Sequence, residues 1–261
     1  MNETAYLQRR DKIEHYFDRT AADAWARLTS TAKVSGIRAT VRAGRDRMRA
    51  TLLGWLPGDL RGQRLLDAGC GTGALAVEAA RRGAIVTAID LSPTLVQLAA
   101  ERLPADLGPG AIDFRSGDML AAELGCFDHS VGMDSLIHYR TADVVTALGL
   151  LAARTRVSIV FTFAPSNPIL ATMMAVGRLF PRKDRAPFIE PVSEAKLRAA
   201  IAAAPALAGW RIGRTQRISS GFYTSQALEL CRVPPVTTST SFVPPGGSGP
   251  AWERPGARPR S

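Results

Sequence analysis

The 261-residue sequence predicts an α/β fold, a mostly parallel seven-stranded sheet with helices on both faces. Three observations predict it. Short apolar runs alternate with helical stretches between residues 64 and 163, which is typical of parallel strands joined by helices. A glycine loop, "GCGTG" (69–73), directly follows the first apolar run. Residues 210–233 have the pattern of two strands around a turn, which predicts a hairpin that closes the sheet.

Each element has its own signal. Strands are predicted at 64–69, 84–90, 111–116, 127–134 and 156–163, and helices at 74–82, 93–103 and 141–153. The helix at 93–103 has clear start signals, because Ser92 suits the N-cap and Pro93 suits the first helical position. A further helix over 192–204 is predicted with Ser193 as its N-cap.

The segments that flank this pattern are predicted as separate regions. Residues 1–63 are predicted as a helical arm or lid, in which apolar residues at helical spacing indicate a helix over 33–55. Residues 64–233 are the main domain. An insertion at 165–191, first apolar and then basic, is predicted to form a cap after the fifth strand. Residues 234–261 are rich in Pro, Gly, Ser, Thr and Arg and are predicted to be a disordered tail.

The formal net charge of +10 favours an acidic partner, such as nucleic acid, an anionic membrane surface or an anionic small molecule. Only four of the 33 basic residues are lysine, however, and genomic base composition explains this excess of arginine as well as an acidic partner does. Charge alone therefore leaves the class of partner open.

The cysteines and the apolar runs indicate the compartment. Cys70, Cys126 and Cys231 lie far apart, without the spacing of metal ligands. The sequence has no secretory signal pattern and no apolar run near the roughly 18 residues that a membrane span needs. We therefore expect reduced thiols, a cytoplasmic location and no metal site built by the protein.

The glycine loop predicts a nucleotide-like ligand. Gly69, Gly71 and Gly73 allow close approach to the backbone at the start of a helix. The spacing also fits a permissive dinucleotide fingerprint. Asp67 beside the loop would repel a pyrophosphate, however, whereas it suits a ligand that carries an ammonium group. Asp90 ends the second strand, where a carboxylate accepts ribose hydroxyls in either kind of ligand.

A third acidic residue distinguishes a dinucleotide from a ligand that carries an ammonium group. Asp118 follows the third strand, where it would accept a hydrogen bond from an adenine amino group, with Met119 against the ring. As a set, these motifs in residues 64–165 resemble the class I S-adenosylmethionine-dependent methyltransferases, which have a Rossmann-like fold. The resemblance implies S-adenosyl-L-methionine as cofactor, with contacts from Asp67, Gly69, Cys70, Gly71, Gly73, Asp90, Leu91, Ser92, Asp118, Met119 and Asp134.

The methyl acceptor should lie at the end of the fourth strand, in "MDSLIHYR" (133–140). Its polar groups include His138 and Tyr139. Enzymes of this family that methylate amino groups of bases often carry an Asn/Asp-Pro-Pro-aromatic stretch there. The segment has none, which disfavours nucleic acid as a partner. Two other functions stay open: a methyltransferase for quinol or phenol hydroxyls with His138 as base, and a non-catalytic binding protein for cofactor or nucleic acid.

Three further stretches resemble the magnesium-protoporphyrin IX O-methyltransferases of bacteriochlorophyll biosynthesis. They are "DKIEHYFDRTAADAWARL" (11–28), "DSLIHY" (134–139) and "GFYTSQALEL" (221–230). The resemblance implies methyl transfer to a propionate carboxylate of magnesium protoporphyrin IX, which gives the 13-monomethyl ester. It also implies contact with the porphyrin-binding subunit of magnesium chelatase and peripheral association with the photosynthetic inner membrane.

The resemblance also bears on the catalytic residues. Cyanobacterial and plant relatives have a Trp-x-x-Ile-Tyr pattern whose tyrosine is linked to catalysis, but Thr29 stands at that position here. Tyr16 is the candidate substitute. A propionate has a carboxyl pKa of about 4 and is ionised at neutral pH, so it needs no general base. We therefore expect His138 to donate a hydrogen bond to the acceptor carboxylate rather than to remove a proton.

A flat porphyrin needs a wide apolar surface with cations for its propionates. The candidates are Met173, Met174, Phe180, Arg182 and Phe188 of the insertion, together with Arg38, Arg42 and Tyr139. The insertion pattern is also that of an amphipathic surface helix followed by a solvated basic turn. Magnesium would arrive with the substrate.

Overall fold

The computed structural model describes Asp18 and residues 36–166 and 189–234. Helices and strands follow in the order α1 (Gly36–Trp55), β1 (Arg64–Ala68), α2 (Ala74–Arg81), β2 (Ile85–Asp90), α3 (Pro93–Glu101), β3 (Ala111–Ser116), β4 (Phe127–Gly132), α4 (Thr141–Arg154), β5 (Thr155–Phe163), α5 (Glu194–Ala203), β6 (Trp210–Ser220) and β7 (Tyr223–Arg232). A short 3₁₀ turn, Leu136–His138, lies between β4 and α4.

The seven strands form one sheet in the order β3-β2-β1-β4-β5-β7-β6. The first five strands of the chain are parallel to their neighbours, whereas β7 runs antiparallel to both β5 and β6. The predicted α/β fold with a hairpin at its carboxyl end is therefore confirmed. The strand order reverses at β1, which lies between β2 and β4, and this opens a crevice at the carboxyl ends of these strands.

Each face of the sheet is covered by its own apolar cluster. Because side chains alternate along a strand, Leu65 and Leu66 of β1 point to opposite faces. Leu66 packs with residues of α4 and α5, and Leu65 packs with residues of α1 and α2. The central strands are apolar on both faces and are buried between two layers of helices, as expected for a parallel sheet.

Helix α1 lies directly on the carboxyl half of the sheet. A Cβ atom at Gly44 would lie 2.5 Å from Cδ1 of Tyr223 on β7, so only glycine allows this close packing. Arg47 donates from Nη2 to the carbonyl oxygen of Ser219 at 2.8 Å and joins α1 to β6. The helix is therefore packed onto the same strands that complete the sheet.

Both predicted N-cap serines lie at the N-cap position, but only one of them makes a capping hydrogen bond. Ser92 is the N-cap of α3, and its Oγ accepts a hydrogen bond from the Leu95 amide at 3.2 Å, as predicted. Ser193 occupies the N-cap of α5, but its side chain makes no capping hydrogen bond. The predicted N-cap position is therefore confirmed, but a favourable residue type at a cap does not by itself fix the rotamer that a capping hydrogen bond requires.

The predicted tail and most of the predicted cap lie outside the described residues. Pro165 pairs with Val192 in an isolated parallel bridge at the two ends of the insertion. In the part of the chain that the structure describes, no helix is both long and apolar enough to cross a membrane.

Candidate active site

The glycine loop is built from left-handed backbone. Gly69, Gly71 and Gly73 have φ values of 85°, 53° and 76°, a region that side chains other than glycine rarely adopt. The amides of Gly69 and Cys70 both donate to the carbonyl oxygen of Ile89, at 2.8 and 2.9 Å, which ties the loop to the end of β2. A Cβ atom at Gly69 would lie 2.4 Å from Cβ of Ser135. The loop is therefore both tightly turned and closely packed.

Asp67 lies on β1 beneath this loop and is only 1% exposed. Its Oδ2 atom is buried and has no hydrogen-bond partner among the residues that the structure describes. Burial raises the pKa of Asp67 to about 7, and the nearby Asp90 carboxylate adds to the rise, while the Ala76 amide opposes it. A buried carboxylate oxygen without a partner is costly in a folded protein. Its chemistry calls for a hydrogen-bond donor with positive charge.

Asp90 ends β2 and faces the loop from the other side. Its Oδ2 accepts from the Gly71 amide at 2.8 Å, and its Oδ1 accepts from the Ser92 amide at 3.0 Å. Burial raises the pKa of Asp90, whereas these amide hydrogen bonds oppose the rise. Each carboxylate oxygen has a second acceptor position, so Asp90 can still accept from ribose hydroxyls.

The amino terminus of α3 contacts Asp18, which the sequence pattern did not predict to lie near the cofactor site. Oδ1 of Asp18 accepts from the Ser92 hydroxyl at 3.1 Å and from the Thr94 amide at 3.2 Å. Asp18 therefore lies at the edge of the predicted cofactor site. No local pattern predicts a contact across 74 residues of chain.

The remaining predicted cofactor residues lie at the same edge. Oδ1 of Asp118 accepts from the Leu120 amide at 2.9 Å, and Met119 is buried. Leu91 is partly buried against the same apolar cluster as Met119. Burial, together with Asp67 and Asp90, raises the pKa of the Cys70 thiol, so this thiol stays neutral at physiological pH.

The segment after β4 brings further side chains to the crevice. Asp134 has a φ of 56°, and its carboxylate is occupied by hydrogen bonds from other protein side chains. Ser135, which the sequence did not single out, lies beside the glycine loop, and its buried Oγ has no hydrogen-bond partner within the described part of the chain. His138 is buried on the 3₁₀ turn, and Tyr139 is buried in the apolar cluster that contains α4.

The predicted porphyrin-binding residues are only partly described. Arg38 is exposed on α1, and Arg42, one turn later, is half-buried. Tyr16 and the insertion residues Met173, Met174, Phe180, Arg182 and Phe188 lie outside the described residues. Within the described ranges, no group of three or more His, Cys, Asp or Glu side chains is arranged to hold a metal ion.

Comparison with known proteins adds the family. Residues 65–156 match the model of a methyltransferase domain, and residues 132–232 match that of the magnesium-protoporphyrin IX methyltransferase C-terminus. A magnesium-protoporphyrin O-methyltransferase of Rhodobacter capsulatus is 48% identical over 225 residues, which is 86% of this chain and 97% of the relative. The chain belongs to the magnesium-protoporphyrin O-methyltransferase family.

A solved structure supports the assignment to this family. The magnesium protoporphyrin IX methyltransferase of Synechocystis PCC 6803, crystallised with bound SAH, matches 85% of this chain and 99% of that chain with a TM-score of 0.74 and 30% identity. A ubiquinone biosynthesis O-methyltransferase of Xanthomonas oryzae is 45% identical, but over only 83 residues, or 31% of this chain. The similarity to magnesium-protoporphyrin O-methyltransferases therefore extends over far more of the chain.

Proposed function

We propose that the protein transfers a methyl group from S-adenosyl-L-methionine to a propionate carboxylate of magnesium protoporphyrin IX. Its similarity to named magnesium-protoporphyrin O-methyltransferases over most of the chain supports the acceptor. The structural observation that carries the proposal is the buried Asp67 carboxylate, with an oxygen that has no partner, beneath a loop of left-handed glycines. A pyrophosphate would be repelled there, whereas a ligand with an ammonium group would be attracted.

The residues at the crevice suit each part of this cofactor. Asp67 would pair with the ammonium group, directly or through water, and the glycine loop would allow the methionine end to lie close to the backbone. Asp90 would accept the ribose hydroxyls, and Asp118 and Met119 would contact the adenine. The cofactor supplies an electrophilic methyl group on a sulfonium. The protein has to bind it, shield it from water and align it with the acceptor oxygen.

A propionate acceptor makes simple demands on the protein. The carboxylate is already ionised at neutral pH, so no proton has to be removed before attack. The site has to strip water from the carboxylate and hold oxygen, carbon and sulfur in line, which contributes several kcal/mol to the rate. We assign to His138 a hydrogen bond to this carboxylate, and to Arg38 and Arg42 contact with the porphyrin propionates.

The charge distribution supports two further proposals about partners. Exposed arginines on α1 and on the face of the edge strand β6 that α1 covers, among them Arg38 and Arg211, give this side of the molecule a positive surface. Such a surface suits an acidic protein partner or anionic lipid. We propose contact with the porphyrin-binding subunit of magnesium chelatase and peripheral association with the membrane.

The chemistry of the product tests the acceptor directly. The protein is incubated with magnesium protoporphyrin IX and cofactor labelled in the methyl group, and the labelled porphyrin is isolated and treated with mild alkali. A carboxyl ester releases its label as methanol, whereas an aryl ether keeps it. Release of the label is the expected result. An alkali-stable product, or methylation of a catechol in place of the porphyrin, would support the quinol-type activity instead.

A further inference from the structure

Asp134 has an unusual backbone conformation. It lies two residues after the end of β4, and among the described residues it is the only one other than glycine with a positive φ, 56°. A left-handed conformation is strained for a residue with a side chain, although aspartate tolerates it better than most. Such a conformation persists when surrounding contacts over-determine it, and residues of this kind cluster at functional sites.

The contacts that hold Asp134 come from three separate elements. Arg45 of α1 donates from Nη1 to Oδ2 at 2.5 Å, and Ser225 of β7 donates to Oδ1 at 3.1 Å. The Tyr223 hydroxyl lies 3.2 Å from both carboxylate oxygens. The Thr162 hydroxyl of β5 donates to Oδ1 at 3.2 Å and accepts from the Asp134 amide at 2.7 Å. The turn after β4 is thereby fixed to α1, β5 and β7 together.

These contacts leave the carboxylate little capacity for a ligand. Its four donor groups match the roughly four acceptor positions that a carboxylate offers. The side chain of Asp134 is 5% exposed and that of Arg45 is 18% exposed, so the ion pair is largely shielded from water. Asp67 is the opposite case, because one of its oxygens has no partner. The contrast indicates that Asp134 stabilises the structure, whereas Asp67 can bind a ligand.

The turn that Asp134 holds carries two groups of the candidate active site. The next residue, Ser135, packs against Gly69 of the cofactor loop, and His138 follows on the 3₁₀ turn. The carbonyl of Ile137 accepts from the Glu190 amide at 2.9 Å, which ties the same turn to the end of the insertion. A change in the conformation at Asp134 would therefore move both the cofactor side and the acceptor side of the site.

We propose that Asp134 is a positioning residue for methyl transfer, which fixes the turn carrying Ser135 and His138 and couples it to helix α1 through Arg45. The proposal rests on the proposed function and goes beyond it. It also departs from the sequence-based prediction that Asp134 contacts the cofactor. Asp134 acts through the residues it holds in place and touches neither methyl donor nor acceptor.

The test compares Asp134→Asn with Asp128→Asn. Asp128 lies at the beginning of β4, the end away from Asp134, where it accepts from the Arg64 amide, so it is a matched control. Asparagine replaces one carboxylate oxygen by an NH₂ group, which faces hydrogen-bond donors and cannot accept from them, and the remaining hydrogen bonds lose the charge that strengthens them. We expect kcat of Asp134→Asn to fall by about tenfold or more, with the Kd for S-adenosylhomocysteine changed less than about threefold. Asp128→Asn should leave both values unchanged.

A second variant separates positioning from stability. In Asp134→Asn, replacing Arg45 by Met removes the cation whose ion pair with Asp134 has been lost, so the double variant should recover part of the lost kcat. Tyr223→Phe removes a single hydrogen-bond donor to Asp134 and should also lower kcat, but by a smaller factor than Asp134→Asn. This variant provides the test if Asp134→Asn folds poorly. A lowered Tm with normal kcat would overturn the proposal. A Kd for the cofactor product that rises as much as kcat falls would overturn it too, and would make Asp134 a cofactor ligand.

A spectroscopic measurement keeps this test independent of the proposed function. The chain has three histidines, so imidazole NMR signals are few and His138→Gln identifies the His138 signals. Asp134→Asn should shift these signals, whereas Asp128→Asn should not. Unshifted His138 signals in Asp134→Asn would contradict the proposal, even if the protein acts on another acceptor. Lack of turnover of magnesium protoporphyrin IX by the unaltered protein would contradict the proposed function alone.

Discussion

At the residue scale, the buried carboxylate of Asp67 carries the assignment of the ligand. Burial holds its pKa near 7, well above the ordinary value of 3.8. The raised pKa means that the folded protein without ligand favours the protonated form below pH 7. The contribution of this group to stability is therefore full below about pH 3.8 and is lost as pH rises from there to about 7. A cationic ligand group reverses this preference, because it stabilises the ionised form.

Substitution of Asp67 tests its role as the partner of the cofactor ammonium. Asp67→Asn should weaken cofactor binding by about tenfold to a hundredfold, the value of a hydrogen bond to a charged group. In the unaltered protein, cofactor affinity should fall as pH drops below about 7. This dependence should be absent in the variant. Calorimetric titration between pH 5.5 and 8 measures the cofactor affinity and its pH dependence. Asp113→Asn is the control, because Asp113 is an exposed residue of β3. Equal affinity in the variant and the unaltered protein would rule out the ion pair.

His138 gives a second prediction at this scale. His138→Ala should lower kcat by about tenfold or more, because it removes a hydrogen bond to a charged acceptor, while the cofactor Kd persists. The pH profile distinguishes the roles: with a carboxylate acceptor, kcat should be nearly flat above pH 6, whereas a base would give a rise through about 6.5. Unchanged turnover in the variant would reject any role for His138.

At the element scale, the glycine loop depends on both its backbone conformation and its packing. Gly69 combines a φ of 85° with contact to Ser135, whereas Gly62 has a φ of 73° but no atom within 4 Å of the place that a Cβ atom would occupy. The two residues therefore separate the cost of backbone strain from the cost of a steric clash.

Replacement of each glycine by alanine turns this difference into a test. Gly69→Ala should displace the loop from Ser135 and weaken cofactor binding by about tenfold or more. Gly62→Ala should lower stability by about 1 kcal/mol through strain alone and leave the cofactor Kd unchanged. Thermal melts of each variant measure its stability, and titration with cofactor measures its Kd. If both variants bind cofactor normally, the close packing of the loop is not needed for the site.

The elements themselves were largely predictable from sequence, because helix and strand signals are local. The strands, the glycine loop and the cap at Ser92 follow from periodicity and residue type within a few positions. The contacts that join elements were not predictable in this way. Arg45 and Asp134 are 89 residues apart, and Asp18 and Ser92 are 74 residues apart. Ser135 was missed because a serine after a strand has no distinctive local pattern.

At the scale of the whole molecule, buried titratable groups give stability a dependence on pH. His129 is buried near the amino ends of the strands, with Nε2 2.7 Å from Oε1 of Gln63 and Nδ1 2.7 Å from Oγ of Ser158. Since a Gln carbonyl oxygen only accepts, Nε2 carries a proton and donates, and the Ser158 hydroxyl can donate to Nδ1 when the ring is neutral. Burial lowers the pKa of His129, opposed in part by Asp128.

The lowered pKa predicts the direction of acid destabilisation. The neutral ring contributes its full stability above pH 6.5, the ordinary histidine value, and this contribution is lost as pH falls towards the lowered pKa. His129→Gln should lower stability at pH 7.5 but flatten the decline between pH 6.5 and pH 5. Denaturant unfolding at several pH values measures both effects. An unchanged slope in the variant would show that His129 is not the group that titrates.

The central claim is that this fold methylates a carboxylate of a magnesium porphyrin with S-adenosyl-L-methionine. The most direct measurement is transfer of label from methyl-labelled cofactor to magnesium protoporphyrin IX, with free protoporphyrin IX and a catechol as parallel acceptors. The expected result is a labelled porphyrin monomethyl ester from the magnesium porphyrin and no label on the catechol. Label on the catechol, with none on the magnesium porphyrin, would contradict the claim.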